Sequence, residues 1–342
     1  MSRKAARSEG LPLMRRLVIM GMSGFAVLCI ALMLGGLWAV WTYRGPGPEA
    51  KGGEITSVML RRGAGLNEIA SSLERAGVIR SGAIFKAAAQ VTGAARELKA
   101  GEYEFASGAS MARVLDDIRA GRIVRHQVTI PEGATSEMVI EILNREEALT
   151  GIAPTPPEGT VLPETYDFQR GEDRAAVLQR MMDARDTLLA TLWSKRQPGL
   201  PVTTPEEAVI LASIVEKETG VASERPQVAS VFTNRLRKGM RLESDPTIIY
   251  FITKGKPLGR RILKSELENP ANTYNTYLID GLPPTPIANP GRASLAAVLD
   301  PPRTDYLFFV ADGTGGHTFA ATYAEHEENV RKWREYRART GK

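Results

Sequence analysis

Cysteine and histidine are scarce in this chain of 342 residues. Cys29 is the only cysteine, which excludes an intramolecular disulfide and a cysteine-based zinc site. The three histidines, His126, His317 and His326, are too few for a histidine-rich metal centre, and the carboxylates around His326 lack partners at metal-ligand spacing. The sequence therefore predicts no metal and no cofactor.

A basic surface is also missing from most of the chain. The net charge is +5, but residues 1–16 contain five Lys and Arg against one Glu, so this tail carries most of the excess. A face that binds nucleic acid needs its Lys and Arg clustered on a folded surface. We therefore expect no nucleic-acid partner. The 43% apolar content excludes a disordered chain, and the length allows two or three domains.

Charge is absent from one long segment, residues 17–43. At 1.5 Å per residue a helix of this length crosses a hydrocarbon core of about 30 Å. Trp38, Trp41 and Tyr43 lie at its far end, where aromatic rings favour the membrane interface. The basic tail before it predicts a cytoplasmic N-terminus, hence a single-pass membrane protein whose remainder lies outside the cytoplasm. The alternative is a cleaved signal peptide, although its apolar stretch is normally shorter.

The part after the membrane segment divides into three stretches. Residues 44–53 are rich in Gly and Pro and predict a linker. Residues 54–150 alternate strand and helix patterns, with helices expected from Asn67 to a stop at Gly77, from Ser81 to Val91 and from Met111 to Ala120. This pattern resembles a LysM-like α+β domain, a small fold that holds glycan strands. The alternative is a spacer that binds nothing.

Residues 158–335 follow a Pro-rich break and predict a helix-rich α+β domain with a small sheet. The Gly-rich run 312–316 follows an apolar strand but fits neither nucleotide-binding fingerprint, so it predicts a tight hairpin. His317 beside it is expected to be structural, with a hydrogen bond near a site as the alternative. His326 lies among charges and is expected to be solvated.

One helix of this domain carries two glutamates. Thr204 as N-cap, Pro205 at the first helical position and Glu207 predict its start, and Gly220 is a plausible C-cap.

Glu216 and Glu218 near its end are separated by about 200° of helical rotation, so they face different sides. Glu218 continues the apolar stripe of Leu211, Ile214 and Val215. An apolar wall raises the pKa of a carboxyl, as a proton donor at neutral pH requires. The alternative is that both glutamates are solvated at a helix end.

Six motifs in this domain occur in one order. They occupy residues 211–219, 224–236, 240–247, 274–277, 281–291 and 306–310. Together with a match from about 158 to 333, they resemble the endolytic murein transglycosylases, the MltG or YceG-like family. The departures, at Glu243 and Thr285, do not involve the candidate acid.

The resemblance implies that Glu218 is the catalytic acid/base, with Glu216 as the fallback. It implies a lytic transglycosylase, a lyase that cleaves the β-1,4 bond between N-acetylmuramic acid and N-acetylglucosamine in nascent peptidoglycan and leaves 1,6-anhydro-muramyl ends. It also implies a role in terminating glycan strands beside peptidoglycan polymerases. Two alternatives stay open: a non-catalytic scaffold that binds cell-wall glycan, and a hydrolytic muramidase.

Polar residues of the same motifs are candidates to bind the sugar. Arg235 suits a substrate carboxylate or an acidic neighbour, and Asp245 suits a site role or a helix cap. The Pro-rich loop 281–291 either contacts glycan or braces the cleft. The full set of expected substrate-binding residues is Asn234, Arg235, Asp245, Thr247, Tyr274, Asn275, Thr276, Tyr277 and Asn289.

Overall fold

The computed structural model describes residues 13–50 and 53–340, with side chains from residue 17 onward. Most of the predicted basic tail 1–16, and residues 51–52 of the predicted linker, lie outside the described residues. The chain forms two units, Met1–Val124 and Arg125–Lys342. The boundary lies at residue 124, whereas the sequence analysis ends the small domain at residue 150. The fold is mixed helix and sheet, as the sequence predicts.

The first unit begins with α1 (Leu13–Arg44). Its part Leu17–Arg44 is 28 residues long, and its most apolar window of 18 residues has a mean hydropathy of 2.5 and is 0% buried in the protein. By length and composition this helix can cross a membrane. Cys29 is free and exposed on it.

The rest of the first unit packs three helices against one strand pair. The elements are β1 (Ile55–Leu60), α2 (Leu66–Arg75), α3 (Gly82–Val91), β2 (Gly101–Ala106) and α4 (Met111–Ala120). β1 and β2 are antiparallel, in register from Ile55 opposite Ala106 to Leu60 opposite Gly101. The Ser81 and Ser110 hydroxyls cap α3 and α4, since each accepts a backbone N–H. The three predicted helices are confirmed within one or two residues.

The second unit contains two apolar clusters. The first joins β3 (His126–Thr129), α5 (Ser136–Arg145), β4 (Thr165–Phe168) and α6 (Arg174–Ser194). β3 pairs antiparallel with β4, which holds residues 126–129 in this unit. The centre of this first cluster is formed by the fully buried Val139, Leu143, Val161 and Met181.

The second cluster positions the functional site. Its helices are α7 (Pro205–Glu218), α8 (Arg225–Arg237), α9 (Asp245–Thr253) and α11 (Arg292–Leu299), together with residues of α6. The short α10 (Lys264–Leu267) lies between α9 and α11 in the chain, and β5 (Phe308–Ala311), β6 (His317–Ala320) and α12 (Tyr323–Thr340) follow α11. α11 packs against both α7 and α8. β5 and β6 form the predicted antiparallel hairpin.

Local signals explain the start of α7 better than its end. The Thr204 hydroxyl accepts the backbone N–H of Glu207 at 3.1 Å, as an N-cap should. The Glu207 carboxylate accepts the N–H of Thr203 at 2.5 Å. The helix ends at Glu218 because Thr219 adopts an extended conformation, so Thr219 rather than the expected Gly220 is the C-cap.

Candidate active site

The last residue of α7 faces a cavity of ≈ 320 Å³. Glu218 lies on one wall, and the β5–β6 hairpin and the start of α12 supply residues on others. The remaining lining residues are Arg235 on α8, Leu242 and Glu243 before α9, Asp245 at the start of α9, and Tyr277 of the 274–277 motif. The full lining is Glu218, Arg235, Leu242, Glu243, Asp245, Tyr277, Phe309, Val310, Ala311, His317 and His326.

The apolar stripe of α7 accounts for the placement of Glu218. Leu211, Ile214 and Val215 are fully buried against the helices around them. Glu218 continues this face for one further turn, so its side chain leaves the core and meets the cavity from inside. The periodicity argument of the sequence analysis therefore selects the carboxyl that faces the cavity.

Burial dominates the acidity of Glu218. The pKa of this carboxyl is raised to about 7, with burial as the largest cause and the nearby charge of Asp245 acting in the same direction. The hydroxyl of Ser244 donates a hydrogen bond to Glu218 Oε1 at 2.6 Å, which lowers the pKa, as does His317. Desolvation is the largest effect, so the carboxyl holds its proton to near neutral pH.

A buried hydroxyl network fixes Ser244 behind the acid. The Ser244 N–H donates to Thr276 Oγ1 at 2.9 Å, and Thr247 Oγ1 donates to the Ser244 carbonyl at 2.6 Å. The hydroxyls of Thr247 and Thr276 are 3.0 Å apart, and both residues are fully buried. The structure thus brings Thr247 and Thr276 to the site as supports of Ser244 rather than into the cavity.

Glu216 has a different environment. Its Oε1 lies 2.9 Å from Arg225 and its Oε2 accepts the backbone N–H of Gly291 at 2.8 Å. Arg225 also pairs with Glu132 at 2.6 Å. Glu216 therefore joins α7 to α8 and to the start of α11, and it does not line the cavity.

Asp245 and Tyr277 form a pair on the cavity rim. Tyr277 donates its hydroxyl proton to Asp245 Oδ1 at 2.8 Å. Burial raises the pKa of Tyr277, and the Asp245 charge adds to the effect. Asp245 is the first residue of α9 and accepts this bond from Tyr277, so it points to the site instead of capping its helix.

Arg235 lines the cavity but is used structurally. Its Nε donates to the Leu307 carbonyl at 2.7 Å, and Nη1 donates to the Leu242 carbonyl at 3.1 Å and to Glu243 at 2.9 Å. Glu243 has a φ of 54°, in the left-handed region that non-glycine residues seldom adopt. Arg235 therefore holds the strained segment that carries Ser244.

Besides Thr247 and Thr276, four more of the predicted sugar-binding residues do not line this cavity. Asn234 donates to the carbonyls of Thr304 and Tyr306, and Asn275 donates to that of Leu267. The Tyr274 hydroxyl bonds Thr285 at 2.7 Å.

Asn289 is fully buried. It accepts the Val161 N–H at 3.0 Å and donates to the Ala134 carbonyl at 3.0 Å. The 281–291 loop therefore braces this unit at Asn289, one of the two alternatives left open by the sequence.

Sequence reasoning missed three cavity features. Ser244 was not among the predicted site residues, and the pairing of His317 with Glu224 links residues too distant in sequence for local spacing to reveal. His326 was expected to be solvated, but its ring stacks on Phe308 at 5.1 Å, and burial lowers its pKa. The only sequence signal for His317 was its place beside a Gly-rich turn after a strand.

Metal ligation finds no support in the part of the chain that the structure describes. Within residues 13–50 and 53–340, no group of three or more His, Cys, Asp or Glu side chains could hold an ion. The lining of the cavity instead presents carboxyl, imidazole and hydroxyl groups, which can transfer protons.

Comparisons with known proteins agree with this picture. A sequence profile of the YceG-like family matches residues 58–332. The chain is 28% identical over 320 residues to a Bacillus subtilis (strain 168) protein named endolytic murein transglycosylase, a match covering 84% of this chain and 87% of that protein. Streptococcus pneumoniae proteins of the same name, from strains D39 and R6, are also 28% identical over 331 residues, which covers 82% of this chain and 59% of theirs.

A solved structure shares the architecture. The crystal structure of a YceG-like protein from Listeria monocytogenes is 27% identical in sequence and superposes with a TM-score of 0.51. The alignment covers 80% of this chain and 98% of that one. The similarity therefore extends over most of the described fold.

Proposed function

Because the chain belongs to the YceG-like family, as the six sequence motifs indicate, we propose that it is a membrane-anchored endolytic lytic transglycosylase. Its substrate is the glycan of nascent peptidoglycan. It cleaves the β-1,4 bond between N-acetylmuramic acid and N-acetylglucosamine and leaves 1,6-anhydro-muramyl ends. The names of the Bacillus and Streptococcus relatives support this substrate class.

The observation that carries the proposal is the state of Glu218. A carboxyl whose pKa burial raises to about 7 is about half protonated at neutral pH, so it can give a proton to a glycosidic oxygen. It opens into a cavity of ≈ 320 Å³, within the range of pockets that bind small ligands.

The reaction needs one proton donor and a nucleophile within the sugar. Glu218 protonates the oxygen that links the two sugars, and the bond from that oxygen to C1 of the muramyl residue breaks. The C6 hydroxyl of the same sugar then attacks C1, so the nucleophile and the electrophile belong to one residue. Because the nucleophile is intramolecular, positioning replaces the activation of a water molecule. In the simplest form of this mechanism the Glu218 carboxylate takes back the C6 hydroxyl proton.

Polar groups of the cavity can stabilise the positive charge that develops at C1. Asp245 lines the same cavity as Glu218 and is held by the Tyr277 hydroxyl. A carboxylate held in this way stabilises an oxocarbenium-like centre without moving. Ser244 orients the acid, and Arg235 holds the Glu243 segment beside it.

We further propose that α1 and the first unit keep this activity at the cell wall. We assign α1 as a single-pass anchor of the inner membrane with a cytoplasmic N-terminus, which leaves residues 45–342 outside the cytoplasm. We assign the small α+β unit as a LysM-like glycan holder. An enzyme tethered in this way meets glycan strands as polymerases release them, so peptidoglycan polymerases are its expected partners.

A hydrolytic muramidase is the competing function, and Asp245 is the observation that favours it. A retaining or inverting hydrolase uses two carboxyl groups, and Asp245 shares the cavity with Glu218. The products separate the two functions, because a hydrolase leaves reducing ends and a transglycosylase leaves anhydro ends.

The test incubates the detergent-solubilised full chain with purified peptidoglycan and identifies the new sugar ends by mass spectrometry. We expect anhydro-muramyl ends from the wild type and a loss of cleavage of at least about 10³-fold in Glu218→Gln, which removes the donated proton at nearly constant shape.

Glu216→Gln, two residues away in the same helix, is the matched control and should cleave whenever it is folded. Reducing ends would establish the muramidase, and no cleavage by the folded wild type would establish the scaffold. Full activity of Glu218→Gln would refute the assigned acid.

A further inference from the structure

A second side chain that can carry a proton, His317, lines the cavity. It comes from the start of β6 and not from α7, the helix that supplies Glu218. Its Nδ1 lies 2.8 Å from Glu224 Oε2, and its backbone N–H donates to Glu224 Oε1 at 3.0 Å. Both oxygens of one carboxylate therefore hold one histidine, at its ring and at its main chain.

This double contact defines which ring nitrogen is free. An ionised carboxylate only accepts hydrogen bonds, so Nδ1 carries the proton that is shared with Glu224. Nε2 is then left with a lone pair. Among the residues that the structure describes, no side chain is hydrogen-bonded to Nε2. The mechanism described so far does not use this group.

The surrounding packing is specific to this arrangement. The Phe309 ring meets the imidazole edge-on at 5.3 Å between ring centres. A Cβ added at Gly316 would lie 2.5 Å from Glu224 Oε1, so the glycine before His317 permits the close approach of the carboxylate. The side chains of His317 and Glu224 are 17% and 19% exposed, so they form a fixed pair rather than a surface contact.

We propose that His317 is the general base of the reaction, with Glu224 as the residue that positions it. The proposal rests on the transglycosylase function proposed above and divides the proton transfers between two groups. A base held by a carboxylate at its other nitrogen is the arrangement found wherever a hydroxyl must become a nucleophile.

The proton transfers balance as follows. The C1–oxygen bond breaks, and the leaving oxygen keeps the electron pair and takes the Glu218 proton. The C6 O–H bond breaks, its proton passes to His317 Nε2, and the oxygen bonds to C1. The imidazolium then loses a proton to solvent and the Glu218 carboxylate regains one, which restores both groups.

The charges around the pair suit this division. Glu224 meets the imidazole directly, while Asp312 on the hairpin and Glu218 on α7 interact with it through their charges. An imidazolium formed during the reaction is therefore stabilised by neighbouring carboxylates. After proton donation the Glu218 carboxylate adds a further negative charge to this surrounding.

The test uses His317→Asn in the full chain. The Asn amide nitrogen takes the place of Nδ1 and can keep the bond to Glu224, whereas nothing takes the place of Nε2. We expect the rate of anhydro-end formation at saturating glycan to fall about 10²- to 10⁴-fold, with little change in the glycan concentration for half-maximal rate. His126→Asn is the matched control, because His126 lies in β3 and not in this cavity, and it should retain wild-type activity.

The pH profile distinguishes a base from a structural histidine. With an acid and a base, the wild-type rate rises and then falls with pH, and the rising limb should be lost in His317→Asn while the falling limb stays. Glu224→Gln should lower the maximal rate at least about tenfold and leave the fold intact.

Three results decide the matter. A His317→Asn variant that keeps more than about a third of the wild-type rate would overturn the proposal, as would a folded variant that loses rate but keeps both limbs. A wild type that forms no anhydro ends would overturn the proposed function itself, and so the two failures remain distinguishable.

Discussion

The position of Glu218 at the very end of α7 has its own electrostatic effect. The C-terminal end of a helix carries a partial negative charge from its unpaired carbonyls. A carboxylate formed there is repelled by that end, in addition to the cost of its burial and the charge of Asp245. Helix geometry and desolvation therefore act in the same direction and keep the acid protonated.

This protonation should be visible as a stability that depends on pH. The folded-state pKa of Glu218 is raised to about 7 from an ordinary value near 4.5. The native state thus binds more protons than the unfolded state between these values, and stability falls as pH rises through this window. Glu218→Gln should be more stable than the wild type by about 3 kcal/mol at pH 8 and nearly equal to it at pH 4.5.

Thermal unfolding of both proteins at the two pH values measures the effect. Glu206→Gln is the control, since Glu206 is exposed in the first turn of the same helix and should shift the melting temperature equally at both pH values. An equal shift for Glu218→Gln at both pH values would contradict the raised pKa.

At the scale of single residues, the sequence predicted which glutamate faces the cavity but not the residues that fix its surroundings. Helical periodicity is a local property, so the face of Glu218 followed from residues within one helix. The bonds that fix Ser244 to Thr276 and His317 to Glu224 join residues 32 and 93 positions apart. Such contacts depend on how the elements pack, which residue spacing does not contain.

At the scale of elements, several polar motif residues serve as braces. Asn289 joins the segment before α5, the segment before β4 and the start of α11 through its buried amide. Arg235 joins α8 to the segment before β5, at the Leu307 carbonyl, and to the segment before α9, at the Leu242 carbonyl. Sequence reasoning treated both as candidate sugar ligands because a residue type does not reveal whether its polar group is buried or exposed.

Loss of the Asn289 amide should lower stability rather than sugar affinity. Asn289→Ala leaves the Val161 N–H without a partner, whereas the Ala134 carbonyl loses the side-chain amide but keeps the backbone N–H of residue 289. One buried donor left unpaired costs about 2 kcal/mol in the free energy of unfolding. Chemical denaturation measures this cost, with the exposed Asn144→Ala as the control.

For folded Asn289→Ala the glycan concentration at half-maximal rate should remain that of the wild type. An increase in this concentration with no loss of stability would return Asn289 to the sugar-binding residues.

Element boundaries followed from the sequence where caps and turns were local. Ser81 and Ser110 marked the starts of α3 and α4, and the Gly-rich run marked the β5–β6 hairpin. The boundary between the two units was not predicted, because β3 pairs with β4 across an intervening helix. A strand shows its own alternation in sequence but not its partner.

At the scale of the whole molecule, α1 is long and apolar enough to cross a membrane. From residue 17 onward its large apolar side chains are exposed, and burial begins only near the end of the helix, at Thr42. If α1 is retained as an anchor, the full chain should remain in the membrane pellet after carbonate extraction, and a chain that starts at Gly45 should be soluble. Immunoblotting of both fractions measures this.

The mass of the membrane-bound protein provides the control. It should include residues 17–44, and a mature protein that lacks them would establish the cleaved signal peptide instead. The shortened chain should still cleave soluble glycan, because the cavity is built from residues after 217.

The order of the cavity walls along the chain has a consequence for biosynthesis. Glu218 emerges from the ribosome well before the hairpin that bears His317, and α12 with His326 comes later still. In the proposed orientation, a chain that is still being exported presents Glu218 before the residues that complete the cavity have followed. We therefore expect glycan cleavage only after α12 has been exported.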